Sequence, residues 1–251
     1  MWQDELWDDE TAQRYDTPGT GMFAPEALEP AVECLARLAD GGRALEFAIG
    51  TGRVAVPLAE RGVPVVGIEL SKPMIARLRE KADERALPVV PGDMAIARAP
   101  GSFGLVYLVY NTISNLLTQG EQVECFRNAA RHLEPGGRFV IELWVPQLRT
   151  LPPGQQASVF HVEPGYLGVD TIDVVEQRLV SHHVHFGEGR AARVSRSPHR
   201  YIWPAELDLM GQLAGFELES RNADWSGGPF TAESTSHVSV YRLAAGGAAA
   251  G

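Results

Sequence analysis

Cysteines, basic side chains and long apolar runs are all scarce in this sequence of 251 residues. Only Cys34 and Cys125 are cysteines, and two thiols so far apart form neither a disulfide scaffold nor a zinc site. Each lies within an apolar helical pattern, so both thiols are expected to be buried. No stretch approaches the roughly 18 to 20 consecutive apolar residues of a membrane-spanning helix.

The first ten residues, MWQDELWDDE, are acidic, whereas a secretory signal begins with a basic and then an apolar segment. We therefore expect a cytoplasmic protein that does not act at a membrane. The chain has 32 acidic and 22 basic side chains, for a net charge of −10. Such a surface repels polyanions, so nucleic acid is not an expected partner.

The densest basic stretch contains Arg190, Arg193, Arg196, His199 and Arg200. Its alternation with small residues favours a solvated strand face. Contact with an anionic substrate is the second interpretation, and it is the less favoured one.

Helical and strand patterns alternate from residue 25 onwards. Residues 25–40 place Leu28, Val32, Leu35 and Leu38 on one face at helical spacing. Five buried strand patterns, each followed by a crossover, then extend to residue 146. This order predicts an α/β fold with a parallel, doubly wound sheet whose ligands bind at the carboxyl ends of the strands.

The first strand ends near Glu46, and the turn AIGTG leads directly into a helix. The free N–H groups of a helix N-terminus face a ligand at such a turn, and Gly50 and Gly52 let the backbone come close to it. The alternative for this stretch alone is a tight turn that only packs well.

Carboxylates also end the next two strands. Glu69 follows the second strand, where it can accept hydrogen bonds from both hydroxyls of a ribose. The third strand ends in PGDM, which places Asp93 to accept from an adenine amine and Met94 to cover the ring; Asp93 could instead cap a helix. Glu46 would attract a cation and repel a pyrophosphate, so the predicted ligand is a nucleoside that carries an ammonium or a sulfonium.

Residues 50–55, GTGRVA, also satisfy the dinucleotide-binding pattern G-x-G-x-x-[GA]. On spacing alone, an NAD(P)-dependent oxidoreductase is therefore an alternative. Glu46, beside the position of a pyrophosphate, and the PGDM acid argue against it.

Taken together, these motifs resemble the class I S-adenosylmethionine-dependent methyltransferases over roughly residues 40–145. LEFAIGTGR is similar to the first motif of that family, GIELSKPMI to the second, GDM to the third and LEPGGRFVIE to the strand after the fourth. The resemblance implies a Rossmann-like sheet of about seven strands with an antiparallel last strand, and a small antiparallel β insert after strand five. It implies S-adenosylmethionine as cofactor, S-adenosylhomocysteine as product, and these cofactor-binding residues: Glu46, Ala48, Gly50, Thr51, Gly52, Glu69, Leu70, Met74, Asp93 and Met94. Ala48 replaces the first glycine of the family motif, which affects how closely the backbone there approaches the ligand.

Three further residues are candidates for the reaction itself. The resemblance places Tyr110 and Asn111, at the end of the fourth strand, beside the methyl group; Asn111 could instead cap the next turn. The segment lacks the PP[YFW] signature of enzymes that methylate amino groups in nucleic acids. Near the N-terminus, AQRYDTPGTG is similar to the Tyr-Asp lid of small-molecule methyltransferases, so Tyr15 is a candidate lid residue, with surface packing as the alternative.

The resemblance also divides the chain into parts. Trp2 and Trp7 are assigned to an amphipathic opening helix that would help the lid to close or would pack on a second subunit in a homodimer. The predicted parts are a helical lid (1–40), a cofactor-binding core (41–150), a β insert on the acceptor side (151–200), a last helix and two strands (201–243), and a disordered tail (244–251).

Within the insert, residues 169–189 and 190–202 are predicted strands separated by a glycine-rich turn. Alternation puts His183 and His185 on one face and His182 on the other. No third convergent ligand is evident, so a metal is not expected; the histidines are solvent-facing or, less favoured, one is a base for the acceptor. Trp144 and Trp203 could wall an acceptor pocket or simply cover the core.

The sequence thus predicts an enzyme that transfers a methyl group from S-adenosylmethionine to an N, O or C atom of a small metabolite. The insert is similar to that of glycine- and amino-sugar N-methylating relatives, which favours nitrogen weakly. A non-catalytic protein that binds the same cofactor remains a second alternative beside the oxidoreductase.

Overall fold

The computed structural model describes residues 7–187 and 191–244. Trp2, Arg190 and the predicted tail from residue 245 onwards lie outside these ranges. The α-helices within them are α1 (Asp9–Tyr15), α2 (Pro25–Ala39), α3 (Ala55–Glu60), α4 (Lys72–Arg79), α5 (Gln119–His132) and α6 (Pro204–Leu213). The β-strands are β1 (Ala44–Phe47), β2 (Val65–Glu69), β3 (Val89–Pro91), β4 (Phe103–Leu108), β5 (Leu133–Trp144), β6 (Ala157–Glu163), β7 (Tyr166–Asp173), β8 (Arg178–His185), β9 (Arg193–Arg200), β10 (Phe216–Asn222) and β11 (Ser236–Leu243).

The larger sheet in the described ranges has seven strands in the order β10-β11-β5-β4-β1-β2-β3. The pairs β1–β2, β1–β4, β2–β3 and β4–β5 are parallel, whereas β11 runs antiparallel to β5. This confirms the predicted doubly wound sheet with its antiparallel last strand. The strand order reverses between β1 and β4, and this is where open α/β sheets bind their ligands.

The central strands are buried on both faces, which explains their nearly continuous apolar sequences. Every residue of β1 and β2 is buried. One apolar cluster, with Phe47 and Phe126, lies between the sheet and helices α5 and α6. The other, with Leu35, Leu58 and Leu78, lies under α2, α3 and α4. The two layers hold the carboxyl ends of the strands in a fixed arrangement.

Local signals set the helix starts around the cofactor turn. Ser71 caps α4, because its Oγ accepts a hydrogen bond from the Met74 N–H at 3.2 Å. Helix α3 begins at Ala55 and not directly after the turn, because Gly50 and Gly52 have positive φ angles of 58° and 78°.

The insert after β5 is a separate antiparallel sheet in the order β6-β7-β8-β9. The sequence predicted two strand segments and one turn, but the structure adds β6 and a hairpin turn at residues 174–177. Strand β6 was missed because a bulge between Val159 and His161 breaks its alternation. The turn was missed because it contains Val174 and Val175, whose side chains are 64% and 85% exposed.

The basic stretch is only partly a solvated face. Arg193 and Arg196 are exposed, as predicted. Arg200, however, is 5% exposed, and its Nη2 donates to Glu206 at 2.7 Å. The end of β9 is therefore held against the start of α6 by a buried ion pair.

The two cysteines also differ. Cys125 is buried, as expected, but Cys34 is half-buried, so that expectation was wrong for Cys34. The Nη2 of Arg37, one helical turn later, lies 3.6 Å from the Cys34 sulfur, which shows that this position faces a polar edge of α2.

Candidate active site

The turn after β1 is strained at one non-glycine position. Ala48 has φ 50° and Gly50 and Gly52 also have positive φ; the left-handed region costs a non-glycine residue about 1–2 kcal/mol. A Cβ on Gly52 would lie 2.3 Å from Leu78 Cδ1. Gly52 is therefore required for packing, whereas Ala48 and Gly50 line a cavity.

Glu69, in the second sequence motif, is hydrogen-bonded to the glycine turn of the first motif. Its Oε2 accepts a hydrogen bond from the Gly50 N–H at 2.8 Å, and its Oε1 accepts one from the Ser71 N–H at 2.7 Å. Burial raises the pKa of Glu69, and these N–H groups oppose the shift. A carboxylate has about four acceptor sites, and the backbone N–H groups of Gly50, Ser71 and Leu70 act on this one, so it retains capacity for a ligand hydroxyl. Glu69 lines the cavity.

Glu46 lies below the turn and does not line this cavity. It is 2% exposed, and its Oε2 accepts a hydrogen bond from the Tyr107 hydroxyl at 2.9 Å. Burial raises the pKa of Glu46 to about 8, against the opposing effects of the Tyr107 hydrogen bond and of Arg53. A cation bound at the turn would favour the ionised form of Glu46 from a distance.

Of the two candidate residues after the third strand, Met94 lines the cavity and Asp93 does not. Met94 is 5% exposed and lines the cavity, as does Gly92. Asp93 does not line it; its Oδ1 accepts a hydrogen bond from the Ala95 N–H at 2.8 Å. Asp93 Oδ1 therefore caps a turn at residues 94–96 and not a helix, because the described residues between β3 and β4 form no helix.

The segment after β4 is held in an unusual conformation. Tyr110 and Asn111 both have positive φ, 54° and 62°. The Tyr110 N–H donates to Glu142 Oε2 at 2.7 Å, and Asn111 Oδ1 accepts from the Trp144 N–H at 2.7 Å. Both side chains line the cavity, and Arg53 lies over the Tyr110 ring at 5.4 Å. Strand β5 therefore fixes this pair at the cavity edge.

The N-terminal segment covers the cavity near the turn. Trp7, which precedes α1 rather than lying within it, stacks edge-on against Tyr15 with centroids 5.6 Å apart. Both line the cavity. Burial raises the pKa of Tyr15 to about 12, so its phenol is protonated at neutral pH. Asp16, the next residue, accepts a hydrogen bond from Thr51 Oγ1 at 2.6 Å, so Thr51 contacts the covering segment and not the cavity.

One cavity of about 620 Å³ connects these groups with the insert, a volume typical of small-ligand sites. Residues expected from the sequence line it together with others that the sequence did not single out as site residues. The expected ones are Tyr15, Ala48, Gly50, Glu69, Leu70, Met74, Met94, Tyr110, Asn111 and Trp144. The others are Ser71, Gly92, Thr112, Asn115, Phe160, Asp170, Leu179, Ser181, Ser197 and His199. His183, for which a role as base was the less favoured interpretation, also lines the cavity.

The insert contributes a polar wall to the cavity. The register pairs Ser181 with both Asp170 and Ser197, and strand alternation places His183 and His199 on the same face. Strand β9 also contacts the 3-10 turn Thr112–Asn115 that follows Asn111. His183 is thus a cavity residue rather than a solvent-facing one. Trp203 lines a separate pocket, so it is not part of this wall.

Known proteins agree with this geometry. A family model described as a methyltransferase domain matches residues 44–137. The solved structure of the CcbJ methyltransferase from Streptomyces caelestis is 36% identical in sequence, has a TM-score of 0.81, and covers 94% of this chain and 96% of its own. This chain belongs to the class I S-adenosylmethionine-dependent methyltransferases. It is therefore a methyltransferase whose cofactor is S-adenosylmethionine, and the oxidoreductase alternative is set aside.

Two other relatives extend the comparison. The cypemycin N-terminal methyltransferase from Streptomyces sp is 28% identical over 243 residues, which cover 93% of this methyltransferase and 96% of the relative. The structure of SAM-bound CalS10, an amino pentose methyltransferase from Micromonospora echinaspora, shares the fold, with a TM-score of 0.64, 20% identity, and coverage of 86% and 90% of the two chains.

The cavity fits this cofactor. Glu69 puts a hydrogen-bond acceptor on the cavity wall, Met74 and Met94 add apolar side chains, and Gly50 brings the backbone to the cavity edge, which is the set of surfaces that a sulfonium nucleoside requires. In residues 7–187 and 191–244, no helix is long and apolar enough to cross a bilayer. The same residues contain no group of three His, Cys, Asp or Glu side chains that could hold a metal ion.

Proposed function

We propose that this methyltransferase methylates a nitrogen atom of a small amine metabolite. The observation that carries the proposal is that the glycine turn and the polar wall of the insert line the same cavity. The insert thereby acts as the acceptor-side part of the enzyme, and the sheet edge acts as the cofactor-binding part.

In the proposed site, Glu69 binds the ribose hydroxyls while Met74 and Met94 hold the adenine ring. Asp93 does not line the cavity itself, but it lies between the cavity residues Gly92 and Met94, and its second carboxylate oxygen is the group assigned to the adenine amine. When bound, S-adenosylmethionine would supply a methyl group on its sulfonium; the acceptor nitrogen forms a bond to the methyl carbon as the carbon–sulfur bond breaks, and S-adenosylhomocysteine leaves. Glu46 lowers the electrostatic cost of holding that positive charge near the turn.

The remaining task of the chain is to orient the acceptor and exclude water. Tyr110 and Asn111, fixed by β5, form the floor on which the acceptor is positioned. Tyr15 and Trp7 form the lid. Because burial raises the pKa of both Tyr15 and Tyr110, their phenols act as hydrogen-bond donors and not as bases at neutral pH.

The names of the relatives support nitrogen as the methylated atom. One relative methylates the N-terminus of cypemycin, and another that shares the fold is an amino pentose methyltransferase. A cavity of this size admits a small molecule or the end of a peptide, and the net charge of −10 disfavours a nucleic acid.

The test is methyl transfer from methyl-labelled S-adenosylmethionine to paired acceptors: amino sugars, cyclic secondary amines and short peptides, each with its hydroxyl analogue. We expect label in amines and none in the matched alcohols. Transfer to the alcohols instead would contradict nitrogen as the target. Tight binding of S-adenosylhomocysteine without transfer to any of these amines would contradict a small amine as the acceptor.

We also propose that two copies associate through the insert. Strand alternation places Val159, Val162 and Val194 on the face away from the cavity, where they are 58%, 72% and 49% exposed. An exposed apolar face of this kind favours association. Sedimentation of the wild type should give a dimer and the Val162→Glu, Val194→Glu double variant a monomer; a monomeric wild type would contradict this.

A further inference from the structure

The polar wall contains a carboxylate that has no cationic side chain as partner. Asp170 on β7 is half-buried, and its Oδ1 accepts a hydrogen bond from Ser181 Oγ at 2.7 Å. No lysine or arginine pairs with it in the part of the chain that the structure describes. Burial raises the pKa of Asp170, whereas the Ser181 hydrogen bond and the nearby His183 and His182 act in the opposite direction. A carboxylate in this position is complementary to a cation that enters the cavity.

His183 lies on the neighbouring strand and on the same wall. Its Nδ1 lies 2.7 Å from the Tyr166 hydroxyl, and its ring stacks on that of Tyr166 with an interplanar angle of 24°. Burial lowers the pKa of His183, while the Asp170 charge raises it. The imidazole is therefore neutral at neutral pH, and Nε2 is without a hydrogen-bond partner among the described residues. With Nδ1–H donating to the Tyr166 oxygen, Nε2 is an acceptor.

We infer that Asp170 and His183 form the acceptor-recognition site and that it binds a primary or secondary ammonium. One N–H of the ammonium donates to the free oxygen of Asp170 and a second donates to Nε2 of His183. The inference rests on the proposed function, since it names the groups that recognise the amine in the same cavity.

The neighbouring groups do not replace this pair. Nε2 of His199 is already 2.8 Å from Ser197 Oγ. His182 lies on the opposite face of β8, where its Nε2 is 3.0 Å from Thr171 Oγ1. His182 therefore offers a matched control, because it is the same residue type on the same strand but outside the cavity.

The site also sets a chemical preference. The Asp170 carboxylate and Nε2 of His183 are two acceptors on one wall, so they require two N–H donors on the ligand. A quaternary ammonium offsets the charge of Asp170 but donates no hydrogen bond to either group. An ether of the same shape does neither. Recognition thus favours primary and secondary amines, whose bound ammonium must lose one proton before the nitrogen lone pair can take a methyl group, over quaternary ammonium ions, which can never do so.

The test uses the S-adenosylhomocysteine complex of the full chain and ligand-observed NMR titrations with three probes: pyrrolidinium, tetramethylammonium and tetrahydrofuran. We expect pyrrolidinium to bind roughly tenfold tighter than tetrahydrofuran, with tetramethylammonium between them. Equal affinities for the three probes, or no binding of pyrrolidinium, would overturn the inference. This comparison needs no variant, so it does not depend on how a substitution folds.

Variants then assign the residues. Asp170→Asn should remove the preference for pyrrolidinium, and His183→Phe should weaken its binding about threefold or more, while His182→Gln should leave it unchanged. Unaltered selectivity in Asp170→Asn would overturn the assignment. In each variant, calorimetry with S-adenosylhomocysteine reports the cofactor site separately. Failure of the wild type to bind S-adenosylhomocysteine would contradict the proposed function itself, whereas normal binding with no amine selectivity would contradict only the role of this wall.

Discussion

Glu69 accepts a hydrogen bond from the backbone N–H of Gly50 at 2.8 Å, across 19 residues of sequence. This bond ties the end of β2 to the glycine turn after β1. The same carboxylate also accepts the Ser71 N–H at the start of α4. One side chain therefore fixes the relative positions of the turn and the helix start.

Replacing Glu69 should weaken cofactor binding. Glu69→Gln places an NH₂ group against one of two backbone N–H donors and removes an acceptor for a ribose hydroxyl. We expect the affinity for S-adenosylhomocysteine to fall by about 1–3 kcal/mol, measured by calorimetry. Glu60→Gln, an exposed acid at the end of α3, is the control for lost charge. An unchanged dissociation constant in Glu69→Gln would remove Glu69 from the site.

Gly52 should tolerate no side chain because of a steric clash, and a substitution at Gly62 measures the backbone strain without that clash. Gly52→Ala combines left-handed strain with a Cβ that would lie 2.3 Å from Leu78 Cδ1. Gly62→Ala has the same kind of strain, at φ 86°, with nothing within 4 Å. Urea unfolding should show a loss of about 1–2 kcal/mol for Gly62→Ala and about 1–3 kcal/mol more for Gly52→Ala. Equal losses would show that Leu78 moves aside freely.

Asn111 should matter for positioning more than for cofactor affinity. Asn111→Ala leaves the Trp144 N–H without its acceptor and puts alanine in the left-handed region. We expect the free energy of unfolding to fall by about 1–3 kcal/mol and methyl transfer to slow, while the dissociation constant of S-adenosylhomocysteine changes little. Asn111→Asp keeps the acceptor oxygen and should retain stability. A large loss of cofactor affinity in Asn111→Ala would contradict the assignment to the acceptor side.

Buried histidines should make the fold sensitive to acid. His237 is fully buried with Nε2 unpaired, and burial lowers its pKa to about 4, below the value near 6.5 of an unfolded chain. Between these values the unfolded chain binds more protons, so stability is lost as pH falls below about 6.5. The limiting effect is about 1.4 kcal/mol per pH unit for this group.

The comparison of wild type with His237→Gln isolates that effect. Glu46 acts with the opposite sign, because burial raises its pKa to about 8 and stability from this group is lost as pH rises from about 4.5 towards 8. The difference between the two proteins removes this shared contribution. We expect urea unfolding to show that the free energy of unfolding of the variant, relative to wild type, rises by up to about 2 kcal/mol as the pH falls from 7.5 to 5. A difference that does not change with pH would refute the assignment.

Strand burial made much of the core predictable from the sequence. β1 and β2 are buried on both faces, so their apolar runs and the acids at their ends identify the sheet edge. Glu69, Leu70, Met74 and Met94 line one cavity at that edge, and their contacts with the cofactor stay a prediction. Ala48 adopts the left-handed conformation that glycine would have provided, at φ 50°.

Contacts between distant segments could not be predicted in the same way. Glu46 bonds to Tyr107, 61 residues away, and no local pattern shows that this burial removes it from the cavity wall. In the insert, alternation separated His183 from His182 but could not show which face meets the cavity. That depends on the packing of β9 against the 3-10 turn Thr112–Asn115, which involves two parts of the fold.

A crystal structure with S-adenosylhomocysteine tests the central claim most directly. We predict the ribose on the Glu69 carboxylate, the adenine between Met74 and Met94, and the sulfur directed towards the wall that contains Asp170 and His183. A nucleoside bound elsewhere, or a sulfur directed away from that wall, would contradict both the cofactor site and the proposed place of the acceptor.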